Sequence, residues 1–190
     1  MIGDQKQGDD LSMSQEVKIL TETSLQVFFF DHLQEFNKKS LNPLTNEAIY
    51  YSSLVMDNFS ESSKFFDQEG DKAREKLLGI KLLESTQFSR EKQKSALKDI
   101  AETSLMVCGF FADSLNRKLI DAKYYEDLGR IAYTRLNSLS PNAFDTPSFY
   151  KMMSRHFSDV TLLMNLVSKK YSAASDPAMP WLIVKERKAS

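Results

Sequence analysis

Apolar and polar residues recur along most of this chain with the period of an α-helix. Leu97, Ala101, Leu105, Cys108 and Phe111 follow one another at helical spacings and share a face. The longest apolar run, Leu105-Met106-Val107-Cys108-Gly109-Phe110-Phe111-Ala112, lies across that repeat, and Val107 and Phe110 add apolar surface from other directions. A helix that is apolar nearly all round is buried on several sides. The pattern predicts a central helix over about 90–115, capped by Ser89, with charged early turns (Arg90 to Lys98) in solvent and later turns in the core.

Other helices follow from the same periodicity. Val17, Leu20, Leu25, Phe28, Phe29, His32, Leu33 and Phe36 trace a stripe that ends at Lys38-Lys39, and its helix begins between Ser14 and Thr23. Asn42-Pro43 breaks the chain, and Thr45 caps a second helix carrying Ile49, Tyr50, Leu54, Val55 and Phe59. Phe65-Phe66 falls in a polar loop. Asp71 caps a third helix with Ala73, Leu77, Leu78 and Leu82 inward, and Asp121 caps a fifth with Tyr124 or Tyr125, Leu128, Ala132 and Leu136. Thr146-Pro147 reads as a cap followed by proline in the first turn. From there a sixth helix runs through Phe149, Met153, His156, Val160, Leu163 and Val167 to about Tyr171. Val17 to Leu20 also fits an extended segment, and no strand pattern competes with the helices except Trp181 to Val184. The expectation is an all-α fold, a single bundle of five to seven helices with short connections.

Composition narrows this further. At 190 residues and 42% hydrophobic content the chain can bury one full core. The segment 1–12 is polar and glycine-containing, so disorder is expected there; 13–172 is the helical domain, and 173–190 is a tail with an apolar segment. With 25 basic and 26 acidic side chains, a net charge of −1 supplies no general attraction for nucleic acid. Met1 to Asp10 lacks the basic start and apolar stretch of a signal peptide, and no run approaches a membrane span. Cys108 is the single cysteine and sits in the most apolar stretch, which suits inert packing in a reducing cytoplasm.

The same residues argue against catalysis. There is no phosphate-binding glycine loop, nucleophile elbow or paired-histidine metal motif. The best metal fragment is Asp31-His32 with Glu35, but di-iron bundles need two Glu-x-x-His pairs and further carboxylates, so a hydrogen-bonded histidine at a helix boundary is expected instead. His156 as a haem ligand is indistinguishable from a histidine at the core edge. Cys108 with His156 as its base would need an electropositive, partly exposed thiol, and this thiol has apolar neighbours. No catalytic, cofactor-binding or metal-binding residue is therefore assigned. Two clusters stand out as partner or ligand contacts. Arg117, Lys118, Tyr124 and Tyr125 surround the junction of the fourth and fifth helices, where a capped turn also explains the charges. Trp181, Leu182, Ile183 and Val184 follow Pro177 and Pro180, clear of any predicted helix.

Two stretches carry a resemblance. Ser104-Leu105-Met106-Val107-Cys108-Gly109-Phe110-Phe111 reads S-L-x-x-x-G-F-F, and Asp121 to Tyr133 reads D-x-x-Y-Y-x-x-x-G-x-x-A-Y. With Phe28-Phe29-Phe30 and Tyr50-Tyr51, they resemble an uncharacterised family of bacterial all-helical proteins, typified by conserved hypothetical proteins of myxobacteria and their relatives. The resemblance spans roughly residues 20–140 and implies a cytoplasmic helical domain with no catalytic residues to carry over. Physically, Gly109 and Gly129 allow helices to approach closely while the paired aromatics fill space.

Taken together, these features predict a non-enzymatic interaction or regulatory module that binds a protein partner or itself, without nucleic acid or a membrane span. The competing expectation is a bundle that binds or transforms a small hydrophobic ligand in an internal pocket lined by residues such as Phe110, Phe111, Tyr124 and Met153.

Overall fold

The computed structural model describes residues 24–60, 71–111, 122–139 and 148–173. The expected disordered 1–12 and, apart from Ala173, the tail 173–190 lie outside these residues, as do Phe65-Phe66, Asp121 and Thr146-Pro147. The described residues form seven α-helices: α1 (Leu25–Asn37), α2 (Asn46–Ser60), α3 (Asp71–Glu84), α4 (Arg90–Phe110), α5 (Ala122–Leu139), α6 (Phe149–Arg155) and α7 (Phe157–Ala173). A 3₁₀ turn at Ser85–Gln87 separates α3 from α4. This is an all-α bundle, and α4 is its centre.

The burial of α4 follows its sequence. Residues 90 to 95 are exposed or half-exposed, and from Ala96 onward the helix enters the core, with every residue from Thr103 to Gly109 buried. It packs most extensively on α5, then on α7. The α4/α5 pair is antiparallel: Arg90 at the start of α4 donates to the Leu139 carbonyl at the end of α5, and the Cys108 thiol near the end of α4 donates to the Ala122 carbonyl at the start of α5. The helix stops at Phe110 and does not run to 115 as expected; Phe111 leaves helical geometry (φ −114°, ψ 14°) and is only half-buried. Ser89 occupies the predicted capping position, but its hydroxyl makes no capping bond.

The two glycines of the sequence motifs lie where helices touch. A Cβ added at Gly109 would stand 2.7 Å from the Met164 Cβ on α7. One at Gly129 would stand 2.3 Å from the Phe157 ring and 3.0 Å from the Ser104 Cβ. Only a missing side chain lets α4, α5 and α7 close this tightly.

The outer helices are tied on by polar contacts. Asn37 clamps the α1–α2 turn, its Nδ2 donating to the Leu44 carbonyl (3.0 Å) and its Oδ1 accepting from the Leu44 N–H (2.8 Å). Thr45 caps α2 as its sequence predicts, its hydroxyl accepting from the Ala48 N–H. Along the antiparallel α1/α2 seam Gln34 bonds Asn46, the rings of Phe30 and Tyr50 meet edge to face, and Gln26 bonds Ser53. Lys170 of α7 reaches Glu35 of α1 (3.0 Å), Lys81 of α3 pairs with Asp99 of α4, and Arg135 of α5 donates to the Leu82 carbonyl of α3.

Two predicted faces are rotated. On α2 the core face is Ala48, Ile49, Ser52, Ser53, Val55 and Met56, and Tyr50 points out. Ser52 and Ser53 can be buried because their hydroxyls donate back to the Ala48 and Tyr50 carbonyls. The predicted sixth helix is two, α6 and α7, separated at His156 (φ −98°, ψ 19°). This break turns the stripe so that Phe157 enters the core and His156 stays at the surface.

Candidate functional site

Of the predicted contact residues, Arg117, Lys118, Trp181, Leu182, Ile183 and Val184 lie outside the described residues. Tyr124 and Tyr125 are the first aromatic residues of α5, edge to face at 5.5 Å. They differ in setting. Tyr125 is buried in the core, whereas Tyr124 is half-buried and carries its hydroxyl over Gly79 of α3, 2.7 Å from where a Cβ would be. Phe110 turns edge-on to Phe29 of α1, and Met153 of α6 is fully buried.

The residues with reactive side chains are engaged locally. Burial, reinforced by the Glu126 charge, pushes the Cys108 thiol up to about 12, so it carries almost no thiolate near neutrality. His156 at the α6–α7 junction places Nδ1 2.9 Å from the Asp159 carboxylate. His32 lies against the Phe28 ring with Glu35 at 3.7 Å; burial, then the Lys170 charge, lowers its basicity. Glu35 accepts from both Lys39 (2.9 Å) and Lys170 (3.0 Å), and these bonds pull its carboxyl down to about 2. The predicted Asp31-His32-Glu35 fragment thus has its best carboxylate committed to two ammonium groups. Among the described residues no group of three or more His, Cys, Asp or Glu side chains is placed to hold a metal ion.

A different cluster forms where α2, α4, α5 and α6 meet. The Tyr51 hydroxyl of α2 donates to Glu102 Oε1 of α4 at 2.8 Å, and Lys98 approaches the same oxygen at 3.7 Å. Tyr133 of α5 is fully buried, and its hydroxyl lies near that of Tyr51, yet no acceptor stands in hydrogen-bonding geometry to it. α6 closes the cluster with its first two residues. Phe149 meets Tyr51 edge to face at 5.0 Å, and Tyr150 stacks on Tyr133 at 6.2 Å. Burial is the largest influence on all three ionisable groups: it raises the Glu102 carboxyl and holds the phenols of Tyr51 and Tyr133 far above their ordinary range. The arrangement can hold and orient a polar neutral group beside a protonatable carboxyl. Periodicity assigned none of the three this role. The available signal was Glu102 itself, a carboxylate between Ala101 and Thr103 in the apolar half of α4.

The described surface also carries large apolar side chains outside the core. Leu41, at the tip of the α1–α2 turn, is 99% exposed; Leu83 of α3 is 70% and Leu162 of α7 is 59% exposed, and Leu166 lies one turn beyond Leu162. No helix among the described residues is long and apolar enough to cross a membrane. No protein-family model, curated protein or solved structure matches the chain.

Proposed function

We propose that this chain is a non-enzymatic helical interaction module, acting in the cytoplasm and allied to the bacterial helical family that its two motifs resemble. The observation that supports this reading is Leu41. A lone exposed leucine is ordinary, but this one is held away from its own bundle on a turn that the buried Asn37 amide clamps with two bonds to Leu44. A leucine on a preorganised turn enters a partner's pocket with little further ordering cost, as interface anchors do. In this reading Trp181 to Val184, an apolar group that the sequence places clear of any predicted helix, forms a second contact with the same protein partner.

The test pairs Leu41→Asp with a truncation after Asp176. Leu41→Asp is expected to leave the melting midpoint unchanged and to abolish co-purification of the partner that the wild-type chain retains. Truncation is expected to weaken the same association. A Leu41→Asp variant that retains the same partner at wild-type yield, or a wild-type chain that is a monomer with no retained partner, removes this reading. A second reading, binding of a small molecule, is favoured by one observation, the buried Tyr133 hydroxyl without an acceptor.

A further inference from the structure

A fully buried hydroxyl with no acceptor is costly, since it gives up its bonds to solvent without replacement. At Tyr133 the surroundings make that cost specific. Beside its hydroxyl stands Tyr51, whose own proton goes to Glu102 Oε1, the oxygen that Lys98 also approaches. The cluster therefore offers a donor without an acceptor at Tyr133, beside a Glu102 carboxyl with more lone pairs than Tyr51 and Lys98 can use, walled by the rings of Tyr51, Phe149 and Tyr150.

The wall on one side is a single short helix. α6 is seven residues long, and His156 alone connects it to α7. Besides ring packing and the fully buried Met153, it is fastened to α5 by hydroxyls: Ser148 to Asn137, and Ser154 to Thr134 and to the Arg130 carbonyl. A rotation at His156 would withdraw Phe149 and Tyr150 together from Tyr51 and Tyr133.

We infer that this cluster under α6 is a binding site for a small neutral molecule bearing an aromatic hydroxyl, which accepts a hydrogen bond from Tyr133 and donates one to Glu102. A hydroxyl is the smallest group that both accepts and donates. Aromatic walls suit a ring bearing it. The site lies under α6 and involves none of the residues invoked for partner binding, so it rests on the small-molecule reading alone.

Phenol is the probe, with anisole, which accepts but cannot donate, and toluene, which does neither, as controls. Calorimetric titration of the full chain is expected to show phenol binding about tenfold or more tighter than toluene, the discrimination of about one hydrogen bond to a buried partner, with anisole between. Tyr133→Phe is expected to raise the melting midpoint while bringing phenol down to the toluene level, because a recognition group left unpaired in the free protein trades stability for binding. Leu41→Asp should leave phenol binding unchanged, whatever it does to partner binding. Equal affinity of the wild-type chain for phenol and toluene overturns the inference, and that comparison needs no variant to fold. So does a Tyr133→Phe variant that melts lower than wild type or still prefers phenol.

Discussion

Gly129 of α5 lies directly under the ring of Phe157, the first residue of α7, so close that a methyl group at 129 would overlap Cε2 at 2.3 Å and Cζ at 2.5 Å. Phe157 is fully buried and packs against Tyr133, so the ring has no free direction in which to retreat. Gly129→Ala should therefore destabilise the fold by about 1–3 kcal/mol through overpacking, despite alanine's better helix propensity. Gly79→Ala is the control: its close contact is the far end of the half-buried Tyr124, which can shift. Thermal or urea melting of the two variants checks the contrast, and equal effects would mean that the α5/α7 contact is not closed as described.

Central-helix truncations should rank by burial. Leu105 is fully buried in α4, and Leu105→Ala should cost about 2–5 kcal/mol. Phe111, placed by its periodicity on the same inward face, is instead the half-buried residue that ends the helix, so Phe111→Ala should cost less than Leu105→Ala although it removes more atoms. Chemical denaturation of both variants gives the order directly.

Two carboxylates should give the pH dependence of stability opposite slopes. Burial, with the Asp99 charge adding to it, raises Glu102 above its ordinary 4.5 against the Tyr51 bond and Lys98. Its contribution is present below 4.5 and lost as pH rises through the raised value, so Glu102→Gln should gain on wild type as pH rises above 4.5. Glu35, held near 2 by Lys39 and Lys170, contributes above 4.5 and loses that contribution as pH falls toward 2. Glu35→Gln should melt below wild type at neutral pH and match it near pH 2, with the neutral-pH gap closing in high salt because the cluster is exposed. Melting midpoints across a pH series read both.

Cys108 should be nearly inert while folded. With its thiol raised to about 12 and buried beneath the Ala122 carbonyl, it should react with a disulfide reagent at pH 8 far more slowly in the native chain than in denaturant. Comparable rates in the two states would show that the end of α4 is open.

Among the described residues the amino-acid sequence by itself determined that the fold is all-α and that α4 is the centre, because an apolar run such as Leu105 to Gly109 can only be buried by surrounding it. It also marked Thr45 as a working cap and Gly109 and Gly129 as places of close approach, since those functions depend on one residue type at one position. What only the tertiary structure decided were matters of phase and company. Ser52 and Ser53 take the inward face of α2 while Tyr50 does not, because back-bonded hydroxyls make serine a small core residue, which no hydrophobicity pattern records. His156 breaks one predicted helix into two, and the following turn of chain exchanges His156 for Phe157 in the core. The meeting of Tyr51, Glu102 and Tyr133 is of this kind: three residues from three helices, far apart in the chain, brought together where burial leaves Tyr51 bonded to Glu102 and the Tyr133 hydroxyl without the water that would otherwise satisfy it.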